Sequence, residues 1–246
     1  MSRFPLQSFF NHPFRVVKKR ISTAIGAKNR NTSMPLFKTI QFNSETTILI
    51  WKISESTETL FSEVDLNSTS MIRIDNMKSE LRKREFLSIR KLLVVAGYSD
   101  FDLHYDNAGK PHLSDQKFIS ISHSHQFAAI IISDKKVGID IEKQKEKIIS
   151  IADKFSVEDL DKNVKQNYIQ KLTVIWGAKE AVFKIENQPG INFKNHILVN
   201  DFEITQQKTT AVLKFMDKIK LFEVHFLEIE DFVLVYVFEI EDVFFN

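Results

Sequence analysis

The chain of 246 residues contains no cysteine. That absence excludes disulfides, thiolate zinc sites and cysteine nucleophiles. Glycine (6) and proline (5) are scarce, so loops should be few and short. No apolar run approaches the roughly 18 residues that a membrane-spanning helix needs. Acidic residues are missing from residues 1–33, which carry Arg3, Arg15, Lys18, Lys19, Arg20, Lys28 and Arg30. The formal net charge is +2, so setting those seven aside leaves the remainder five charges negative. The basic excess belongs to this leader, and a nucleic-acid partner does not follow from it. The leader reads as a disordered tail or as sequence upstream of a second natural start at Met34-Pro35-Leu36. A targeting segment is disfavoured, because Phe9 and Phe10 run into Asn11, His12 and Pro13 where a signal would continue apolar.

What is present is ordinary globular composition, 43% hydrophobic and 27% charged, with 22 phenylalanines to build a core. Residues 46–53 read as a buried strand, and 58–64 as a short helix. From 76 to 96 the pattern is helical. Leu81, Glu85, Ile89 and Leu92 form a stripe that Phe86, Leu93 and Val94 widen, and Gly97 ends it. Strands are expected at 101–105, 118–122, 127–133 and 137–142. Helical segments follow at 147–155, 156–162 and 163–185, then strands at 197–206, 210–216, 219–229 and 232–240. The recurring order of strand, long helix and strands predicts an α+β fold of two similar halves, each a small sheet packed on a long helix. They would form a pseudo-dimer in one chain. The expected divisions are 1–33 (leader), 34–125 (first half) and 126–246 (second half).

Four short segments could carry chemistry. In Val137–Glu142 the period of a strand puts Ile139 and Ile141 on one face and Asp140 and Glu142 on the other. Paired carboxylates suit a hard divalent cation, and equally a solvated acidic face. In Trp176–Lys184, Trp176, Glu180 and Lys184 recur at i, i+4 and i+8. This reads either as a surface Glu–Lys pair or as a metal ligand beside a phosphate-binding lysine. Asn107–Pro111 is a turn presenting Lys110. In Ser120–His125, Ser122 and His123 face opposite ways on a strand, which argues against a nucleophile–base pair. His123 and His125 share a face, but no third zinc ligand is near, so hydrogen bonding to phosphate is the preferred reading. The 76–96 helix carries several cations, of which Arg90 lies far enough along to approach a site.

Taken in order, Gly109-Lys110-Pro111, Ser122-His123-Ser124, Gly138-Ile139-Asp140-Ile141-Glu142 and Trp176-x-x-Lys179-Glu180-Ala181-x-x-Lys184 resemble the 4′-phosphopantetheinyl transferases. The similarity is to the large, two-lobed, surfactin-synthetase-activating type. The resemblance implies Mg²⁺ on Asp140, Glu142 and Glu180. Lys184 would hold the diphosphate of coenzyme A, with Lys179 near it. Lys110, Ser122 and His123 would contact coenzyme A, and Arg90 its 3′-phosphate. The family's early lysine pair has no clear match. The implied reaction moves 4′-phosphopantetheine from coenzyme A to a serine of an apo acyl or peptidyl carrier protein, releasing adenosine 3′,5′-bisphosphate. Glu180 is the candidate base and Lys184 the charge-neutralising group. A cytoplasmic monomer with no membrane or nucleic-acid partner is expected. The competing readings are another Mg²⁺-dependent phosphohydrolase or nuclease, and a non-catalytic carrier-binding homologue.

Overall fold

The computed structural model describes residues 36–156 and 165–240. The expected helix at 156–162 lies outside them apart from Ser156. Residues 34–246 group as one compact unit.

The chain opens with strands β1 (Leu36–Asn43) and β2 (Thr46–Lys52) and short helices α1 (Thr57–Ser62) and α2 (Ser68–Asp75). The long helix α3 (Glu80–Val95) follows, started by the Ser79 side chain accepting from the Arg82 amide. Strands β3 (Leu103–Tyr105), β4 (Pro111–Leu113), β5 (Phe118–Ser124) and β6 (Phe127–Ser133) complete the first half. The second half has β7 (Val137–Lys143), a 3₁₀ segment at Glu146–Lys154, helices α4 (Lys165–Glu186) and α5 (Phe193–His196), and β8 (Ile197–Val199). It ends with β9 (Lys208–Phe215), β10 (Lys218–Ile229) and β11 (Phe232–Ile240). Strands β1 and β4 and helix α2 carried no sequence signal strong enough to name. The strand expected at 197–206 stops at Val199, and a 3₁₀ turn occupies Ile204–Gln206.

Among the described residues two large antiparallel sheets result, ordered β1-β2-β6-β5 and β7-β11-β10-β9-β8, beside a two-stranded β3-β4 sheet. In each, the half's strand before the long helix lies beside its last strand, which lies beside its penultimate one: β2-β6-β5 and β7-β11-β10. The fold is α+β, as expected. Because β6 sits between β2 and β5, the chain passes from one sheet to the other at residues 134–136, about ten residues later than the division expected at 125.

The sheets stack face to face between the two long helices. Ile48, Ile50, Phe127, Ala129 and Ile131 of the first meet Ile139, Ile141, Phe232 and Leu234 of the second. On the outer faces, Leu49, Trp51, Ala128 and Ile130 pack with Phe86, Ile89, Leu92 and Leu93 of α3. Val233, Val235 and Val237 pack with Leu172, Ile175, Ala178 and Val182 of α4. Strands covered on both faces need apolar residues at every position, which is why β2, β6 and β11 read as unbroken hydrophobic runs. Leu81 and Val94, expected in the stripe of α3, are exposed.

Candidate active site

Strand β7 places the site. Val137, Ile139 and Ile141 turn into the layer between the sheets, and Gly138, Asp140 and Glu142 turn towards α4. A Cβ on Gly138 would stand 2.0 Å from the Ala181 carbonyl oxygen, so only glycine lets α4 cross this close. Gly177 is also close-packed, though against a side chain: its Cβ would lie 2.8 Å from Val235 Cγ2. The tight crossing brings Glu180 and Lys184 of α4 over Asp140. Lys184 Nζ donates to Asp140 Oδ1 and to the Ile139 carbonyl, each at 2.8 Å.

Strand β7 is the outer strand of its sheet, so its far edge needs partners from elsewhere. Strand β5 supplies them through side chains. Ser120 Oγ accepts from the Ile139 amide, and Ser122 Oγ accepts from the Ile141 amide, both at 3.1 Å. Ser122 Oγ donates in turn to Asp140 Oδ1 at 2.9 Å, and Ser124 Oγ to Glu142 Oε2 at 3.4 Å. The alternating serines of β5 thus join the two sheets edge to edge and orient the carboxylates. In this arrangement Ser122 serves Asp140.

A cleft of about 440 Å³ runs along this seam, lined by residues of both halves. Lys110, Ser122, His123, Asp140, Glu142, Glu180 and Lys184 all line it. His123 Nδ1 sits 3.2 Å from Oε2 of the buried Glu85. Lys110 Nζ, on the β3–β4 turn, donates to the Ile185 carbonyl.

The carboxylates are short of positive charge. Burial, then repulsion from Asp140, pushes the Glu142 carboxyl up to about 7, against relief from Ser124 and Lys184. Burial and Asp140 likewise raise Glu180. Asp140 Oδ2 is buried without a hydrogen-bond partner. These features fit a hard cation bound by oxygen. Among the described residues no three His, Asp or Glu side chains are already gathered on one point.

Two expected ligands lie elsewhere. Arg90 is buried, with Nε 2.9 Å from Asp100 Oδ1, Nη2 on Ser70 Oγ and its guanidinium 3.5 Å from the Phe86 ring centre. Asp100 also accepts from the Asn67 amide and Ser70 Oγ, so Arg90 knits α2 to α3. Lys179 is buried and donates to the carbonyls of Phe193 (2.7 Å) and Ile197, fastening α4 to α5 and β8. Neither residue lines the cleft. The arginine that does is Arg73 near the end of α2, its guanidinium 5.4 Å from the ring centres of both Phe86 and Tyr105. Sequence reasoning missed Arg73, Tyr105, Glu85 and Asn187. The Ser-x-Ser-x-Ser alternation and Gly138 were legible signals of the seam.

Residues 136–237 match the family described as the 4′-phosphopantetheinyl transferase superfamily. That span holds Asp140, Glu142, Glu180 and Lys184. A relative, the 4′-phosphopantetheinyl transferase Gsp of Aneurinibacillus migulanus, is 27% identical over 157 residues, covering 61% of this chain and 64% of that protein. The chain therefore spans less than two thirds of that relative's length. The resemblance to the 4′-phosphopantetheinyl transferases is shown, the family match itself covering residues 136–237.

Proposed function

We propose that the protein transfers the 4′-phosphopantetheine group of coenzyme A to a serine hydroxyl of an apo acyl or peptidyl carrier protein. The observation that carries this is the convergence of Asp140, Glu142, Glu180 and Lys184 with Lys110, Ser122 and His123 in one cleft. A carboxylate cluster alone would suit many hydrolases. The lysines and His123 beside it add the cations and donors that a diphosphate needs.

The serine oxygen attacks the phosphorus attached to pantetheine, and the bond to the bridging diphosphate oxygen breaks. Magnesium held by Asp140, Glu142 and Glu180 would neutralise charge on the diphosphate and its leaving group. Gathering these carboxylates on one ion requires side-chain rotation. Lys184, fixed over Asp140, adds a point charge beside the leaving phosphate. Glu180, which lines the cleft beside Asp140, is the candidate acceptor of the serine proton. His123, held by Glu85, donates to a phosphate oxygen. Arg73, which lines the cleft beside the Phe86 and Tyr105 rings, takes the outlying-phosphate role first expected of Arg90. Both walls of the cleft come from one chain, so we assign a functional monomer. Among the described residues no helix is long and apolar enough to cross a membrane, and we place the enzyme in the cytoplasm with its substrates.

Incubation with coenzyme A, Mg²⁺ and an apo carrier protein tests the reading by intact mass. The carrier should gain one phosphopantetheine, and omission of Mg²⁺ should prevent it. An unmodified carrier with release of inorganic phosphate would assign a phosphohydrolase instead.

A further inference from the structure

A second cavity of about 290 Å³ opens behind the Lys110 turn, with His104, Lys110, His112, Lys117, Lys136 and Ile185 in its wall. No carboxylate lines it. Those that pair with its cations stand outside the wall: Asp134 with Lys117 at 3.1 Å, Glu239 with Lys136 at 3.0 Å and Asp106 with His112 at 3.2 Å. An ammonium has three N–H donors, so one carboxylate leaves others for a ligand. The Lys117 and His112 pairs are exposed on both sides and so contribute little energetically, while Lys136 is exposed beside a largely buried Glu239.

Lys110 lines both this cavity and the cleft. Its ammonium donates to the carbonyl of Ile185, which lines the second cavity and not the cleft. Burial disfavours its charge, and Lys136 and Lys220 add to that against Glu186 and Asp106. An anion in the second cavity would relieve this.

We propose that the second cavity binds a phosphate dianion, as inorganic phosphate or a phosphomonoester, through Lys117, Lys136 and Lys110. Lys110 is shared by the two cavities, so an anion that draws its ammonium into one takes donors from the other, occupancy there opposes anion binding in the cleft, and the opposition is reciprocal. The antagonism rests on the cleft being a coenzyme A site, whereas the cavity's own affinity does not.

The test is titration of the protein with inorganic phosphate at constant ionic strength, followed by amide NMR. Saturable binding should shift residues around Lys117 and Lys136. Lys117→Gln with Lys136→Gln should weaken it by about fivefold or more. Both side chains are more than two-fifths exposed, so the melting temperature should hold. No saturable binding overturns the proposal, as does binding that survives the double substitution but is lost in Arg73→Ala, which would put the phosphate in the cleft. A parallel titration with ethyl phosphate separates the two sources by which binds tighter, and either preference supports the cavity. Saturating phosphate should raise the coenzyme A Kd about threefold in the wild type and leave it unchanged in the double variant. An equal rise in both overturns the antagonism. Absence of any coenzyme A binding to the wild type would instead sink the proposed function, while the phosphate titration still decides the cavity.

Discussion

Asp140 satisfies one carboxylate oxygen with Ser122 and Lys184 and leaves the other buried and bare. That asymmetry makes it the residue whose charge matters most to the site. Asp140→Asn and Glu180→Gln should each lower transfer by about a hundredfold or more. Their melting curves should stay close to the wild type, because both changes keep shape and volume. Near-normal rates in both would remove the carboxylates from the reaction. Arg73 and Arg90 separate binding from folding. Arg73→Ala should raise the KM for coenzyme A about tenfold without a stability loss, the effect of one lost charged contact. Arg90→Ala should leave that KM alone and cost about 3–5 kcal/mol, because it strands the buried Asp100 carboxylate. Denaturant melts and coenzyme A titrations of both variants read the contrast. Glu142 gives a pH signature. Its carboxyl stands at about 7 in the folded protein against an ordinary 4.5. The folded state therefore holds a proton that the unfolded chain has released between those values. That contribution to stability is complete below 4.5 and is lost as pH rises through 7. Without divalent cations, the melting temperature should fall more steeply from pH 5 to 8 in the wild type than in Glu142→Gln. Magnesium, which needs the ionised carboxylates, should abolish the difference. An equal slope in the two proteins would show that Glu142 is not raised.

Strand β7 and helix α4 act as one unit because Gly138 permits contact between their backbones. A methyl at 138 would meet the Ala181 carbonyl oxygen at 2.0 Å, and backbone cannot move aside as a side-chain tip can. Gly138→Ala should force α4 outward, cost about 1–3 kcal/mol by denaturant melt, and separate Glu180 and Lys184 from Asp140. Activity should fall by more than the fraction unfolded explains. A fully active, fully stable variant would mean the crossing can relax. Strand β5 shows how residue spacing becomes a joint between elements. Serines at 120 and 122 cap the β7 amides that no neighbouring strand reaches. An apolar residue at either position would leave an amide buried and unpaired. Element identity was legible where the pattern was long, as in β2, β6, β10, β11 and the two long helices. Strand β4, three residues long, and α2 were too short to show a period, and neighbours decide their state.

The molecule places one wall of its cleft on each half of a single chain. Lys110, Ser122 and His123 come from the first half, and Asp140, Glu142, Glu180 and Lys184 from the second. On the proposed reading, no second copy would be needed to complete the site. Sedimentation should give a monomer of 28.7 kDa whose specific activity does not change on dilution. Activity that vanishes on dilution together with a dimer boundary would overturn this. The like order β2-β6-β5 and β7-β11-β10 gives the halves a common plan without a visible sequence repeat. Antiparallel order and core patterning can persist when individual side chains do not.

The sequence by itself determined the α+β class, the strand face that carries Asp140 and Glu142, and the cleft residues Lys110, Ser122, His123, Glu180 and Lys184. The class and the strand face rest on local periodicity, and the cleft residues on the family resemblance that motif order carries. Only the tertiary structure decided which cations are available to a ligand. Arg90, Lys179 and Arg73 are alike as letters in a sequence. Arg90 is held by Asp100, Lys179 by the carbonyls of Phe193 and Ile197, and Arg73 faces the cleft. The difference lies in partners distant in sequence, which no local pattern encodes. The same holds for Asp140, Glu142 and Glu180. Their shared need for positive charge arises from burial together between β7 and α4, a consequence of how closely Gly138 lets those two elements meet.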